Sequence, residues 1–258
     1  MCLILFAYRS HPDYRLVLAA NRDEFYDRPS QPADFWEDAP DILAGRDLKA
    51  GGTWMGITKT GRLAAITNYR EIGSTREDAP SRGDLVKNYL AGDSAPYDYL
   101  KTVRDKGQIY NGFNLIIGDE KDLLIYANRD GSIRNVKPGV HGLSNHLLDT
   151  PWPKVNKGTR KLHSLMIEKK GFSPEDIFKI LADRSTPLDE ELPDTGVGLE
   201  WERILSPMFI ESDIYGTRCS SILLWKYTGE ITFMEKTFDR PAGKPDTTTR
   251  RQTFRLLS

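Results

Sequence analysis

The sequence predicts an α+β fold, an αββα four-layer sandwich of two antiparallel sheets flanked by helices. Three observations point there. β-rich runs come in adjacent pairs joined by short turn segments, which makes hairpins and therefore antiparallel sheets. Pairs of helical segments lie between the hairpins and must cover sheet faces. No strand–helix–strand alternation of the kind a parallel sheet needs is present. The 258 residues read as one domain, 1–258, with no linker, repeat or low-complexity block. A chain of this length buries a large core without a disulfide or metal staple.

Taken in chain order, residues 2–9 and 14–21 form a first hairpin around Ser10-His11-Pro12-Asp13, where Pro and Asp favour a turn. Residues 26–52, with Pro29, Pro32, Pro40 and several Asp, read as irregular. A second hairpin spans 53–58 and 62–69 around Lys59-Thr60-Gly61. Ser81 is the expected N-cap of a helix over 82–91, and a second helical segment covers 95–106. A third hairpin joins 112–118 to 122–128. Helices return over 151–169 and 174–183, the latter with Ser173 as N-cap and Pro174 at the first helical position. Residues 186–200 are acidic and read as a surface loop. The fourth hairpin covers 217–226 and 230–238, and a last strand is expected over 252–256.

Composition removes several function classes. Lys+Arg number 36 and Asp+Glu 37, a net charge of −1, which argues against nucleic acid or an anionic membrane as partner. No apolar run approaches the roughly 18 residues of a membrane span. No basic residue precedes the apolar run that begins at Cys2, and Arg9, Asp13 and Arg15 interrupt the residues after it, unlike a signal peptide. Two cysteines make no disulfide framework, so the expected location is cytoplasmic. CxxC, HExxH, GxGxxG and P-loop patterns are absent, leaving a small-molecule substrate or ligand as the expected partner.

Cys2 is the sharpest chemical feature. Once Met1 is removed, one residue carries both a thiol and an α-amine, and an amine of pKa near 8 serves as a base close to neutral pH. A hairpin turning near residues 11–12 pairs residue 2 with residues 21–22. That brings Arg22 and Asp23, from Asn21-Arg22-Asp23-Glu24, close to Cys2. A carboxylate there can hold the amine, and an arginine can favour the thiolate. Neighbouring strand residues point to opposite faces, so both reach one site only if the strand bends or has ended. Asn68 and Asn145 each offer an amide to a developing oxyanion. Arg218 opens the fourth hairpin. Each of these also has a plain structural reading, as a capping or turn Asn, a surface charge cluster or an edge-strand arginine.

In this order, Cys2, Asn21-Arg22-Asp23-Glu24, Gly51-Gly52-Thr53-Trp54-Met55-Gly56, Thr67-Asn68-Tyr69-Arg70, Leu143-Ser144-Asn145, Asp149-Thr150-Pro151-Trp152-Pro153-Lys154 and Tyr215-Gly216-Thr217-Arg218 resemble the NRDE family. These are the transport-and-Golgi-organisation protein 2 homologues, and the likeness spans roughly residues 2–240. The resemblance implies an N-terminal nucleophile hydrolase-like fold, similar to penicillin V acylases and conjugated bile acid hydrolases. It carries catalytic roles onto Cys2, Asp23, Asn68, Asn145 and Arg218. Arg22 matches less closely, because the acylases place their arginine three residues before the aspartate, where this chain has Ala20. The implied activity is hydrolysis of a linear, non-peptide amide, which requires no cofactor. A second reading on the same fold is a carrier of haem, or of an acyl-CoA or other lipid. For haem, His11, His141, His146, His163 or a Cys2 thiolate are the available ligands. For an acyl-CoA, Arg70, Arg76 and Arg82 form the available basic rim.

Overall fold

A computed structural model describes residues 2–73, 75–167, 171–239 and 246–257, without the side chains of Cys2, Asp239, Asp246 and Thr247. The chain divides into two compact units. One comprises residues 1–27, 137–144 and 148–253, the other residues 28–136, 145–147 and 254–258. Among the described residues, no helix is long and apolar enough to cross a membrane.

The first unit is built on a six-stranded sheet. Its strands are β1 (Cys2–Tyr8), β2 (Tyr14–Phe25), β10 (Gly139–Leu143), β11 (Tyr215–Lys226), β12 (Glu230–Asp239) and β13 (Asp246–Arg255). They lie in the order β10-β1-β2-β11-β12-β13. The first and fourth expected hairpins are β1/β2 and β11/β12. Residues 3–8 of β1 and 16–20 of β2 are unbroken apolar runs because they are buried on both faces. Leu3, Leu5, Ala7, Val17 and Ala19 point to one side. There they pack on Val155, Leu162 and Leu165 of α3 (Pro153–Ile167), and on Ile177, Phe178 and Leu181 of α4 (Pro174–Leu181). Each large apolar side chain buried in this way is worth about 1.5–3 kcal/mol relative to exposure. Helix α4 starts as the sequence indicates. The Ser173 hydroxyl accepts from Asp176 N, and the Asp176 carboxylate accepts from Ser173 N, a reciprocal cap.

The second unit is a seven-stranded meander. Its strands, in spatial as in chain order, are β3 (Ser30–Trp36), β4 (Ala39–Asp47), β5 (Met55–Thr58), β6 (Leu63–Asn68), β7 (Phe113–Gly118), β8 (Leu123–Ala127) and β9 (Ile133–Asn135). Helices α1 (Gly83–Ala91) and α2 (Pro96–Lys106) cover one face. Leu85, Val86, Tyr89, Leu90, Leu100 and Val103 there meet Ile42, Ala64, Ile66, Leu115 and Ile117. All of the strand pairings within this sheet are antiparallel.

The structure corrects several boundaries. Residues 26–52 hold the β3/β4 hairpin. Pro32 is tolerated because β3 is an edge strand whose register shifts between Gln31 and Asp34, so its missing N–H breaks no ladder. Ser81 does not cap α1. Arg82 occupies the cap position without a side-chain capping bond. The start of α1 is set by close backbone approach, since a Cβ on Gly52 would lie 2.6 Å from the carbonyl carbon of Gly83. The acidic loop expected over 186–200 runs into α5 (Leu199–Leu205), with Glu200 and Glu202 in its first turn, where the helix dipole favours acids. Strands β9 and β10 were not expected. The final strand is longer than expected, and the expected end of α3 at 168–169 lies outside the described residues.

Candidate functional site

In the first unit the β1/β2 ladder places Cys2 opposite Arg22, as the hairpin arithmetic requires. The Cys2 side chain lies outside the described residues, as does Met1. Arg22 is 5% and Asp23 1% exposed. Strand β2 neither ends nor breaks at this pair, and continues to Phe25. The irregularity is in its partner. Thr217 pairs with Asp23 and Cys219 with Arg22, so Arg218 is one extra residue in β11. A bulge of this kind bends the strand, adds twist and re-aims a side chain.

Bonds around the bulge fix Asp23. The Thr217 hydroxyl donates to Asp23 Oδ1 at 2.7 Å, and the Tyr215 hydroxyl donates to the Asp23 carbonyl at 2.9 Å. Thr217 Oγ1 in turn accepts from Ile210 N at 2.9 Å. Arg218 donates from Nη1 to the carbonyls of Phe25 and Tyr26, at 3.0 and 3.1 Å, and so holds the chain as it leaves β2. Burial pushes the Asp23 carboxyl up to about 6. The charges of Lys154 and Arg22 and the Thr217 hydrogen bond pull the other way. Lys154, which the sequence marks only as part of a motif, is 5% exposed in the first turn of α3. Its Nζ donates to the Leu205 carbonyl at 2.8 Å. Cys219 is 3% exposed, and burial, with Glu235 nearby, pushes its thiol well above the ordinary value.

In the second unit Asn68 ends β6, paired with Phe113. Asn145 belongs to this unit and is fully buried. Its Nδ2 donates to the Asn68 carbonyl at 3.0 Å, and its own carbonyl accepts from Arg70 N at 2.7 Å. The Asn145 side-chain amide is thus joined to the backbone of Asn68 at the strand end. The next residue, His146, sets its ring 4.9 Å from that of Tyr69, and burial lowers its pKa. Its carbonyl accepts from Asn114 Nδ2 at 2.9 Å. Asn114 was not singled out from the sequence, where it reads as one polar residue inside the apolar run Phe113–Gly118.

The structure therefore places Arg22, Asp23 and Arg218 along one end of the β2/β11 pair in the first unit, with Arg22 and Asp23 at consecutive positions of an unbroken strand, and ties the Asn145 side chain to the Asn68 backbone in the second. Other sequence candidates have ordinary work. His141 is engaged at both ring nitrogens, with Asp149 Oδ2 at 2.7 Å and the Lys137 carbonyl at 2.9 Å. His11 Nδ1 accepts from Asp13 N at 3.1 Å, and His163 stands on the outer face of α3. Arg76 donates to the carbonyls of Gln108 and Ile109, and Arg82 to that of Gly112.

Fold and site together define an α+β protein of two antiparallel sheets with flanking helices, carrying a buried Arg-Asp pair beside the strand that opens at Cys2. The chain belongs to the Transport and Golgi organisation 2 family, which matches residues 1–240. It is 37% identical to the mouse Transport and Golgi organization 2 homolog, over 96% of this chain and 98% of that one. It is 38% identical to the human homolog over 92% of each. Among solved structures it is similar to a Caenorhabditis elegans N-acylethanolamine-hydrolyzing acid amidase ortholog, with a TM-score of 0.49 and 10% identity over 86% of this chain and 92% of that one. It is also similar to the C2A mutant of a Clostridium perfringens conjugated bile acid hydrolase, with a TM-score of 0.44 and 10% identity over 99% of this chain and 84% of that one.

Proposed function

We propose that this protein is a cysteine amidohydrolase that cleaves a linear, non-peptide N-acyl bond. The observation that carries the reading is the register of three strands. Residue 2 faces Arg22 across β1/β2, and Asp23 beside it is fixed by Thr217 next to the Arg218 bulge. That is where an N-terminal nucleophile would need a carboxylate and a cation.

After removal of Met1, the Cys2 α-amine takes the thiol proton. The thiolate attacks the substrate carbonyl, and a C–S bond forms as the C=O pair moves onto oxygen. Asn68 and Asn145 donate to that oxyanion. The C–N bond then breaks, and the leaving amine takes the proton held by the α-ammonium. Water, deprotonated by the same amine, attacks the thioester and releases the acid and the thiol. Asp23 holds the ammonium, and Arg22 and Arg218 favour the thiolate. The reaction calls on no cofactor. Two cysteines and no disulfide framework fit a cytoplasmic location. The alternative, a carrier of haem or of an acyl-CoA, finds no specific support in the geometry of His141, Arg76 or Arg82.

The test has two parts. Intact-mass measurement of the protein from its native source should show loss of Met1. The processed protein, incubated with a panel of N-acyl amino acids and N-acyl amines, should release free amine, and Cys2→Ala should release none. Retained Met1, or no release from any panel member while Cys2 reacts no faster with iodoacetamide than Cys219, overturns the reading.

A further inference from the structure

We propose that Asn114 is a positioning residue for the oxyanion-stabilising amides, holding the segment that carries Asn145 against the end of β6; this rests on the amidohydrolase reading above. Asn114 is the second residue of β7, opposite Thr67 of β6, and it is fully buried. A side-chain amide has two N–H donors. Asn114 Nδ2 uses them on Thr67 Oγ1 at 3.1 Å and on the His146 carbonyl at 2.9 Å. One end of the bridge thus rests on the strand that leads to Asn68, and the other on the residue after Asn145. With Asn145 Nδ2 on the Asn68 carbonyl and Arg70 N on the Asn145 carbonyl, residues 145–146 are tied to the β6 end at three points.

The other half of the amide shows what the residue is kept for. Asn114 Oδ1 is buried with no hydrogen-bond partner among the described residues. A buried carbonyl left unpaired costs on the order of 1–3 kcal/mol. The flanking residues of β7, Phe113, Leu115, Ile116 and Ile117, are all apolar and buried. A side chain chosen for stability alone would match them. What Asn114 supplies, and an apolar residue cannot, is the donor to His146. Losing it removes that bond, one of the three ties just described. Catalytic geometry is unforgiving here, since a displacement of about 1 Å is worth on the order of a hundredfold in rate. Asn114 itself touches neither substrate nor reacting atoms.

Two reagents separate this role from general damage. p-Nitrophenyl acetate acylates Cys2: the thiolate attacks the acetyl carbonyl, a C–S bond forms, the ester C–O bond breaks and p-nitrophenolate leaves. That step passes through an oxyanion. Iodoacetamide alkylates the same thiolate at a saturated carbon, with loss of iodide and no oxyanion. In Asn114→Val the p-nitrophenolate burst should slow by about tenfold or more, while the alkylation rate holds. Thr67→Val removes the other acceptor but leaves the tie to His146, so it should lower Tm and leave the ratio of the two rates at the wild-type value. If the Val variant does not fold, the near-isosteric Asn114→Asp, which lacks the NH2 pair, should show the same selective loss. A wild-type ratio in the Asn114 variants, or an equal drop in Thr67→Val, overturns the role while the hydrolase reading stands. No burst from the wild-type protein overturns both.

Discussion

The candidate residues of the two units differ in charge. At the β2–β11 end of the first unit the named groups are ionisable: Arg22, Asp23 and Arg218, with buried Lys154 contributing its charge. At the β6 end of the second unit the side chains that tie the candidate segment are neutral amides and a hydroxyl: Asn145, Asn114 and Thr67. A buried charge needs countercharge and a rigid frame, and the sheet around the Arg218 bulge supplies both. A neutral donor needs only correct aim, and a short segment tied to a strand end supplies that. The difference teaches where pH should act. The charged groups of the first end should respond to proton concentration, and the amides of the second should not.

The largest effect expected is complete. Cys2→Ala should abolish the burst with p-nitrophenyl acetate, and in the processed wild-type protein iodoacetamide near pH 7 should modify Cys2 alone, because Cys219 is buried with its thiol pKa pushed up. Peptide mapping of the labelled protein checks this, and modification of Cys219 at a matching rate would break the contrast. Next comes Asn145→Ala, which removes a neutral donor. Its burst should slow by about 100- to 1,000-fold with the iodoacetamide rate unchanged. A parallel loss in both rates would show that the amide end is not separate from the nucleophile.

Asp23→Asn addresses the charged end. Its folded pKa of about 6 lies above the ordinary value of 3.8, so the folded state holds the proton more tightly than the unfolded one. That contribution is fully present below pH 3.8 and is lost as pH rises through about 6. The gap corresponds to roughly 3 kcal/mol. Melting curves should show wild-type stability falling relative to Asp23→Asn across that window, and Cys2 labelling should be slower in the variant. A constant Tm difference from pH 4 to 7 would contradict the burial argument. Ser173→Ala sharpens the comparison at the level of helices, since α4 is side-chain capped and α1 is not. It should cost about 1 kcal/mol, read by chemical denaturation. The smallest effect concerns His141, whose pKa is raised by its hydrogen bond to Asp149. The stabilisation is present below about 6.5 and fades as pH rises through the folded value. The pair is partly exposed, so His141→Gln should lose less than about 1 kcal/mol at pH 6 and still less at pH 9.

Much of this was legible in the sequence, for identifiable reasons. Ser173-Pro174 is a local signal and specified the start of α4. The hairpin turn near residue 12 fixed the pairing of Cys2 with Arg22, because register follows from turn position. What escaped was set by distant partners. Pro29, Pro32 and Pro40 hid β3 and β4: Pro29 precedes β3, Pro32 stands in that edge strand, and Pro40 lies at the start of β4, ahead of its pairing with β5 at Ile42. Ser81 looked like a cap, but contact between Gly52 and Gly83 decides where α1 begins. Lys154 and Asn114 matter through what they touch, Leu205 and His146, and neither partner is near in sequence. The extra residue at 218 is invisible until β11 is laid beside β2.

That extra residue has a consequence for how the sheet tolerates change in length. The ladder is in register on both sides of it, Thr217 with Asp23 and Cys219 with Arg22. Arg218 is thus a single residue of slack in an otherwise filled strand. A chain lacking position 218 would still align Thr217 and Cys219 with their present partners, losing the clasp on the carbonyls of Phe25 and Tyr26. A deletion one step to either side would instead remove Thr217 or Cys219 and force the next residue into its place. Length variation in β11 is therefore permitted at one point, and that point is the one whose side chain grips the exit of the neighbouring strand.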